Sequence, residues 1–477
     1  MSEERVGAPA PSEADLATRG SGIRLAAEVG GRLLSVATTF LLAAALGVER
    51  FGLFAAASGI AVIAAELAEL GLQATAARAL VARTLSLPAL LRAKLAVSVG
   101  VAAAGVALPA AAARLVPALA GPALALQPAL VLFYVVAGWS ELCGVALRAR
   151  GRRLHEALVL LVLRASTLAA VALALRAGTG LAALAWAHAA STLPPLAFAF
   201  LLLGRAREPA GEPRSTVAGV LRESLPLFVN GVLTMVSLRV ELLALYFLRG
   251  PREAGLFGAA LKILESLGAL PSAVTAGAMP SLTREGLRAS AGGGAPADVR
   301  RRLAATVALL AVPAGLGLAL EAPRVLALLG PGYAAGAPAL RVLGLAVVAT
   351  FTNVVAVWSL IAVGRASRLP GIMAVRVVLG ALGAVVLVPA AGATGAAAGL
   401  AMAEVALLCM TAYACAAAGF AVPVALPLLR ALALSVPMAA AVSFAPLGLP
   451  ASIALGAAVY AATLLIAWRA GLGAPAT

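Results

Sequence analysis

The sequence is short of aspartate, lysine, histidine and cysteine. Only two aspartates (Asp15, Asp298), two lysines (Lys94, Lys262) and two histidines (His155, His188) occur in 477 residues. The three cysteines, Cys143, Cys409 and Cys415, lie in apolar runs, and an odd count without ligand spacing gives neither a disulfide framework nor a zinc site. Charged residues make up 12% of the chain, against about 25% in an average soluble domain. Phosphate-binding P-loops, dinucleotide fingerprints, nucleophile elbows and zinc motifs are all missing. No loop is long enough to fold as a catalytic domain, so the sequence points away from an enzyme and calls for no cofactor. The first twenty residues have no apolar core of the signal-peptide kind, and read as a disordered cytoplasmic tail.

What is present is apolar. Hydrophobic residues make up 62% of the chain, and the mean hydropathy is +1.03. This composition defines an all-α integral membrane protein. The net charge of +16 would suggest nucleic acid in a soluble protein. Here the basic residues sit between apolar segments and set topology instead, and no basic domain exists to bind nucleic acid.

A span needs about 20 mostly apolar residues. Fourteen stretches qualify, at approximately 21–47, 53–80, 94–114, 128–148, 154–176, 180–204, 222–248, 255–282, 302–320, 339–364, 369–389, 394–418, 426–445 and 450–471. With the N-terminus inside, 24 of the 36 basic residues fall on the cytoplasmic side, 7 on the other side and 5 at membrane depth. That bias sets the orientation, with both termini cytoplasmic. The segment Arg83–Leu95 reads as an interfacial amphipathic helix on the inner face. The external stretch Glu321–Pro338, with its GPGYAAGAP run, is expected in the interface.

A short repeat divides the chain. Arg50-Phe51-Gly52-Leu53-Phe54 opens span 2, and Glu253-Ala254-Gly255-Leu256-Phe257 opens span 8. Each copy follows a span with a mid-membrane arginine, Arg32 or Arg239, and the copies are six spans apart. Two parallel six-helix lobes follow, at 21–204 and 222–418, joined by a linker at 205–221 and followed by an extra helix pair at 426–471.

Ionisable residues inside the spans are the candidates for function. In span 1, Arg24, Glu28 and Arg32 are spaced by four residues and fall on one stripe, because four helical residues advance about 40°. Glu66 and Glu69 share a face of span 2. Span 5 carries Arg164, span 7 Arg239 and Glu241, span 8 Lys262 and Glu265, span 11 Arg376 and span 12 Glu404. Lys262 and Glu265, three apart, are expected to pair. Cationic groups inside a bundle suit an anionic ligand, and guanidinium suits phosphate. The expected cavity set is Arg24, Arg32, Arg239, Lys262 and Arg376. Glu28, Glu66, Glu69 and Glu404 are candidates for ion coupling. His188 reads as a packing residue, and the prolines Pro226, Pro271, Pro280 and Pro313 as sites of kinks.

The stretch Leu46-Gly47-Val48-Glu49-Arg50-Phe51-Gly52-Leu53-Phe54 resembles the turn between the first two spans of polysaccharide biosynthesis flippases, with Val48 where proline is usual. These Wzx or O-antigen transporters belong to the multidrug/oligosaccharidyl-lipid/polysaccharide exporter superfamily. Leu70-Gly71-Leu72 with Arg78, Ser224-Leu225-Pro226, Ala254-Gly255-Leu256-Phe257 with Lys262-Ile263, and Pro280-Ser281-Leu282 are similar as well. The resemblance implies a two-lobed bundle in a bacterial inner membrane, alternating access around a cationic cavity. Its substrate would be an undecaprenyl-pyrophosphate-linked oligosaccharide. Its partners would be membrane lipids and other polysaccharide-assembly proteins. A multidrug or cation antiporter, or a lipid II flippase, of the same superfamily is the alternative; a glycan polymerase or ligase is disfavoured by the short loops.

Overall fold

A computed structural model describes residues 13–82, 84–115, 121–204, 216–290, 297–445 and 447–470. Among these the chain is helical throughout and contains no β-strand. In chain order the helices are α1 (Glu13–Glu69), α2 (Leu72–Ala82), α3 (Leu87–Leu115), α4 (Pro122–Ala125), α5 (Gln127–Ala149) and α6 (Arg153–Arg176). Next come α7 (Leu181–Ala190), α8 (Leu193–Gly204), α9 (Val217–Ser237), α10 (Val240–Arg249), α11 (Pro251–Leu267) and α12 (Ala269–Ser290). The last are α13 (Asp298–Leu320), α14 (Ala322–Ala327), α15 (Ala337–Ala362), α16 (Leu369–Ala416), α17 (Ala425–Phe444) and α18 (Leu449–Arg469). The tail expected over 1–20 falls partly outside the described residues, and α1 begins within it. Most of the 205–221 linker also lies outside them.

The protein is a multi-pass membrane protein. Lipid offers no partner for backbone N–H and C=O groups, so spanning segments satisfy them internally as helices. Among the described residues eleven helices are long and apolar enough to cross a membrane, or up to twelve when a bent pair is counted as one span. Fourteen were expected. The difference has a definite cause: α1 and α16 each run on through a glycine with non-helical geometry, Gly47 (φ 71°) and Gly392 (φ 52°). Each therefore counts once where the sequence suggests two. Close approach between helices uses glycine pairs, Gly315 against Gly344 and Gly383 against Gly399, which explains part of the Ala and Gly richness. Large apolar side chains such as Leu33, Phe247 and Phe444 face outwards, as a lipid-bathed surface requires.

Several helices are broken where they face the interior. Glu69 ends α1 at Leu70 (φ 42°) and Gly71 (φ 69°), so the Leu70-Gly71-Leu72 motif is a helix break. Helices α9 and α10 meet at Leu238–Arg239 with a 46° bend between Phe228–Ser237 and Val240–Arg249. Helix α11 gives way to α12 at Gly268. Of the prolines expected at kinks, Pro226, Pro280 and Pro313 lie inside α9, α12 and α13, and Pro271 in the first turn of α12. Non-helical backbone at membrane depth is tolerated where protein or a wet cavity surrounds it.

The two repeat copies meet at one end of the bundle. A Cβ at Gly52 would run into the carbonyl oxygen of Pro251 and lie 2.8 Å from the Gly255 Cα; one at Gly255 would strike the Val48 carbonyl. Tyr333, in the 3-10 turn Pro331–Gly336, is 1% exposed and reaches across the same end. Its hydroxyl donates to the Ala43 carbonyl oxygen at 2.9 Å, and its ring meets Phe51 edge-on at 6.2 Å. The Glu321–Pro338 stretch is thus a cap on this closed end, with a helix and a 3-10 turn of its own. The Arg83–Leu95 segment is similarly absorbed: from Leu87 onward it forms the first turns of α3, with Ala89, Leu90 and Ala93 buried.

Candidate substrate cavity

Beneath the closed end lies a cavity of about 180 Å³, walled by both repeat units. Helix α1 contributes Ser35, Thr39, Phe51 and Phe54; α5 and α6 contribute Tyr134 and Arg164; α11 contributes Lys262; and Arg239 enters from the α9–α10 break. A second chamber of about 180 Å³ shares Ser35, Thr39 and Lys262 with it, and adds Arg32, Glu265 and Ser266. A third, of about 480 Å³, shares Tyr134 and Arg164 with the first, and adds Glu66, Glu69, Gln73, Glu141 and Asn230. A fourth, of about 230 Å³, shares Gln73 and Glu141 with the third and adds Glu28, Arg148 and Glu156. Neighbouring chambers thus share wall residues.

The chambers are electrically polarised. The first two carry Arg32, Arg164, Arg239 and Lys262 against one carboxylate, Glu265. Arg239 Nη1 donates to Glu265 Oε1 at 2.7 Å, and Lys262 Nζ donates to Oε2 at 2.7 Å. The expected Lys262–Glu265 pair is therefore one arm of a triad. Arg32 and Arg164 have no carboxylate partner among the described residues. The helix break fixes Arg239 at this wall: its backbone has left the helical region (φ −124°, ψ −14°) between the two pieces of the span.

The third chamber is acidic. Glycines make room for its carboxylates: Glu66 Oε1 occupies the space a Cβ at Gly231 would take, and Glu69 Oε1 the space at Gly138. Lys94, counted from sequence among the cytoplasmic charges, is fully buried within α3 and pairs with Glu69 at 2.5 Å. It also donates to the Ala68 carbonyl at 3.3 Å. Gln73 donates to Glu141 at 3.0 Å. Glu28 lines the fourth chamber.

Arg376 and Glu404 are placed elsewhere. Arg376 is 2% exposed, donates through Nε and Nη2 to Glu404 Oε1 at 3.2 and 3.0 Å, and stands 3.6 Å from Glu241. Its Nη1 donates to the Ser237 carbonyl, the last residue of α9. Asn353 donates to the Glu404 backbone carbonyl at 3.2 Å and in turn accepts from Thr411 at 3.1 Å. Neither Arg376 nor Glu404 lines any of the four chambers; the network ties the broken span to α15 and α16. The Arg24 side chain lies outside the described residues.

Arg164, noted among the intramembrane charges, was left out of the expected cavity set, and Tyr134 and the α1 hydroxyls were not among the candidates. Arg164 carried a usable signal: no carboxylate lies three or four residues away on its own helix, so its charge needs a partner elsewhere. His188 is 8% exposed, packs on Phe133 with ring centroids 4.0 Å apart, and also touches the first chamber. Among the described residues no group of three His, Cys, Asp or Glu is placed to hold a metal ion.

A closed end, broken interior helices and a cavity between two repeats characterise the fold. Similar solved structures carry the same fold. The lipid II flippase MurJ in an inward closed conformation matches with a TM-score of 0.66 at 13% identity, over 93% of this chain and 98% of that one. An inward-facing multidrug resistance MATE family transporter of the MOP superfamily matches at 0.64 with 14% identity, over 84% and 98%. An outward-facing transporter of that kind matches at 0.51 with 15% identity, over 85% and 96%. No curated protein matches the sequence. The family model described as polysaccharide biosynthesis protein matches residues 17–284, more than half of the chain, and the chain belongs to that family.

Proposed function

We propose that this chain is a flippase that moves an undecaprenyl-pyrophosphate-linked oligosaccharide across the bacterial inner membrane by alternating access. The observation that carries this reading is the basic wall: Arg32, Arg164, Arg239 and Lys262, drawn from both repeats, line two chambers whose one carboxylate among the described residues is Glu265. On insertion scales each charge at the centre of a span costs roughly 2.5–3.5 kcal/mol, so four in one place call for a use. A diphosphate supplies one. It is a compact polyanion whose oxygens match guanidinium donors in charge and geometry. Family membership in polysaccharide biosynthesis supports a glycan as the load.

In this account the end closed by Gly52, Gly255 and Tyr333 faces outwards, as the distribution of basic loop residues requires. The diphosphate enters from the inner leaflet, is held on the basic wall, and leaves when the closed end parts. The prenyl chain stays in lipid, and the glycan travels with the diphosphate through the polar chambers. Other polysaccharide-assembly proteins would supply and consume the load.

A second reading has its own observation. Glu66, Glu69 and Glu141 gather in the third chamber, and carboxylates in transporters often carry a coupled proton or sodium ion. This arrangement suits an ion that drives the cycle. It is also what a cation or drug antiporter of the same superfamily would need. A lipid II flippase remains the nearest variant, since it differs in the glycan and not in the diphosphate.

The test uses purified protein in liposomes containing a fluorescent prenyl-diphosphate oligosaccharide, with a membrane-impermeant quencher reporting its leaflet. Wild type should equalise the leaflets and Arg239→Ala should slow this at least ten-fold. Movement of a cationic dye instead, with the lipid static, would favour the antiporter.

A further inference from the structure

Glu265 is the carboxylate of the basic wall, and its two oxygens are divided between two cations. Oε1 accepts from Arg239 and Oε2 from Lys262, each at 2.7 Å. One bidentate acid thus sits where one phosphate of a diphosphate would sit, bridging a guanidinium and an ammonium. The triad is not sealed: the Glu265 side chain is 28% exposed and Lys262 40%, and both line the second chamber. Arg32 lines the same chamber and Arg164 the neighbouring one, and neither has such a partner among the described residues.

We infer that Glu265 is a built-in counter-anion that occupies Arg239 and Lys262 in the empty transporter, yields them to the diphosphate, and reclaims them to eject it. The inference rests on the flippase reading of this cavity. The arriving diphosphate meets two unpaired guanidiniums first, Arg32 and Arg164. It then competes with Glu265 for the other two cations.

Exchange has two physical consequences. The empty cavity does not leave four bare cations at membrane depth, where each is costly. The gain on binding is a difference between two anion contacts and not the full value of one. A site that must release its load works only when binding is favourable enough to enter and weak enough to leave. The placement of the three residues suits such an exchange. Lys262 and Glu265 are one turn apart on α11, so Glu265 keeps Lys262 in reach when Arg239 is taken. Arg239 stands at the α9–α10 break and Glu265 just before the α11–α12 break at Gly268, where helix pieces can tilt relative to each other.

The test uses the full-length protein in nanodiscs, with inorganic pyrophosphate as the probe for binding and the lipid-linked oligosaccharide for flux. Glu265→Gln should bind pyrophosphate at least ten-fold more tightly and flip the lipid more slowly, so that KM and kcat fall together. Glu265→Asp is one methylene shorter and cannot span both cations, so it should lie between Glu265→Gln and wild type. Should the glutamine variant fail to fold, the aspartate variant decides alone. Folded variants that bind pyrophosphate no more tightly than wild type overturn the inference. If Arg239→Ala weakens binding while Glu265→Gln matches wild type, the counter-anion alone fails. If wild type and Arg239→Ala bind alike, or none of the proteins binds, the diphosphate reading fails with it.

Discussion

Gly52 and Gly255 lie backbone to backbone at the closed end, the Pro251 carbonyl filling the space of a Cβ at Gly52 and the Val48 carbonyl that of a Cβ at Gly255. They hold matching positions in the two copies of the repeat. The repeat therefore marks the place where the two halves of the chain touch as well as their common origin in sequence. Closure depends on both residues having no side chain, because the atoms a Cβ would strike are backbone and cannot rotate away.

Gly255→Val should hold this end apart. The expected result is a longer distance between spin labels at Glu49 and Arg252, on the turns of the two copies, in a background without the three native cysteines. A distance distribution unchanged from wild type would mean that the contact does not set the closure.

Tyr333→Phe removes the buried hydroxyl bond to Ala43 and nothing else of size. A lost hydrogen bond of this kind costs about 1–2 kcal/mol, which shifts a two-state equilibrium roughly 5–30-fold. The same label pair should report more of the open form, though less than in Gly255→Val. Equal populations would reduce Tyr333 to a packing residue.

Arg376 and Arg239 should fail in different ways. Breaking the buried Arg376–Glu241–Glu404 network should cost about 3–5 kcal/mol of stability, seen as a lower thermal midpoint for Arg376→Ala. Arg239→Ala should leave the midpoint within a few degrees and weaken pyrophosphate binding at least ten-fold. The reverse pattern would move Arg376 into the substrate site.

Lys94, fully buried, pairs with Glu69 at the wall of the third chamber, and a double-mutant cycle reads their coupling. Lys94→Met alone should destabilise strongly, and Lys94→Met with Glu69→Gln should recover most of the loss, because removing both charges leaves neither unpaired. For ion coupling, uptake under an imposed proton or sodium gradient should lose its dependence in Glu66→Gln or Glu69→Gln and keep it in Glu404→Gln. Full coupling in all three variants would end the proposal that these carboxylates carry the ion.

Much of the fold was legible because lipid imposes a strong rule: about 20 apolar residues per crossing, helical throughout, basic loops on one side. The breaks were harder. Leu70, Gly392 and the Leu238–Arg239 step carry no proline, and whether a glycine ends a helix or merely packs in one depends on neighbours distant in sequence. Gly47 and Gly52 are five residues apart; the first bends α1, and the second receives Gly255.

The charges divide in the same way. Residues one turn apart, such as Lys262 and Glu265, pair as their spacing predicts. Partners far apart in sequence do not announce themselves: Arg239 finds Glu265, Lys94 finds Glu69, and Arg376 finds Glu404 across the Gly392 kink of α16, through packing that no local pattern encodes. Arg376 looked like a cavity residue because it had no carboxylate within a turn of it, and its partners stand on α10 and beyond the Gly392 kink of its own α16. Arg164 met the same criterion, was passed over, and lines two chambers.

The most direct test of the central claim is mass spectrometry of lipid-linked oligosaccharides in cells lacking this protein and any second flippase, with sidedness read by an impermeant glycan-modifying reagent. The account predicts accumulation on the cytoplasmic face, reversed by wild type but not by Arg32→Ala or Arg239→Ala expressed at the same level. An unchanged lipid pool, or full reversal by the arginine variants, would contradict it.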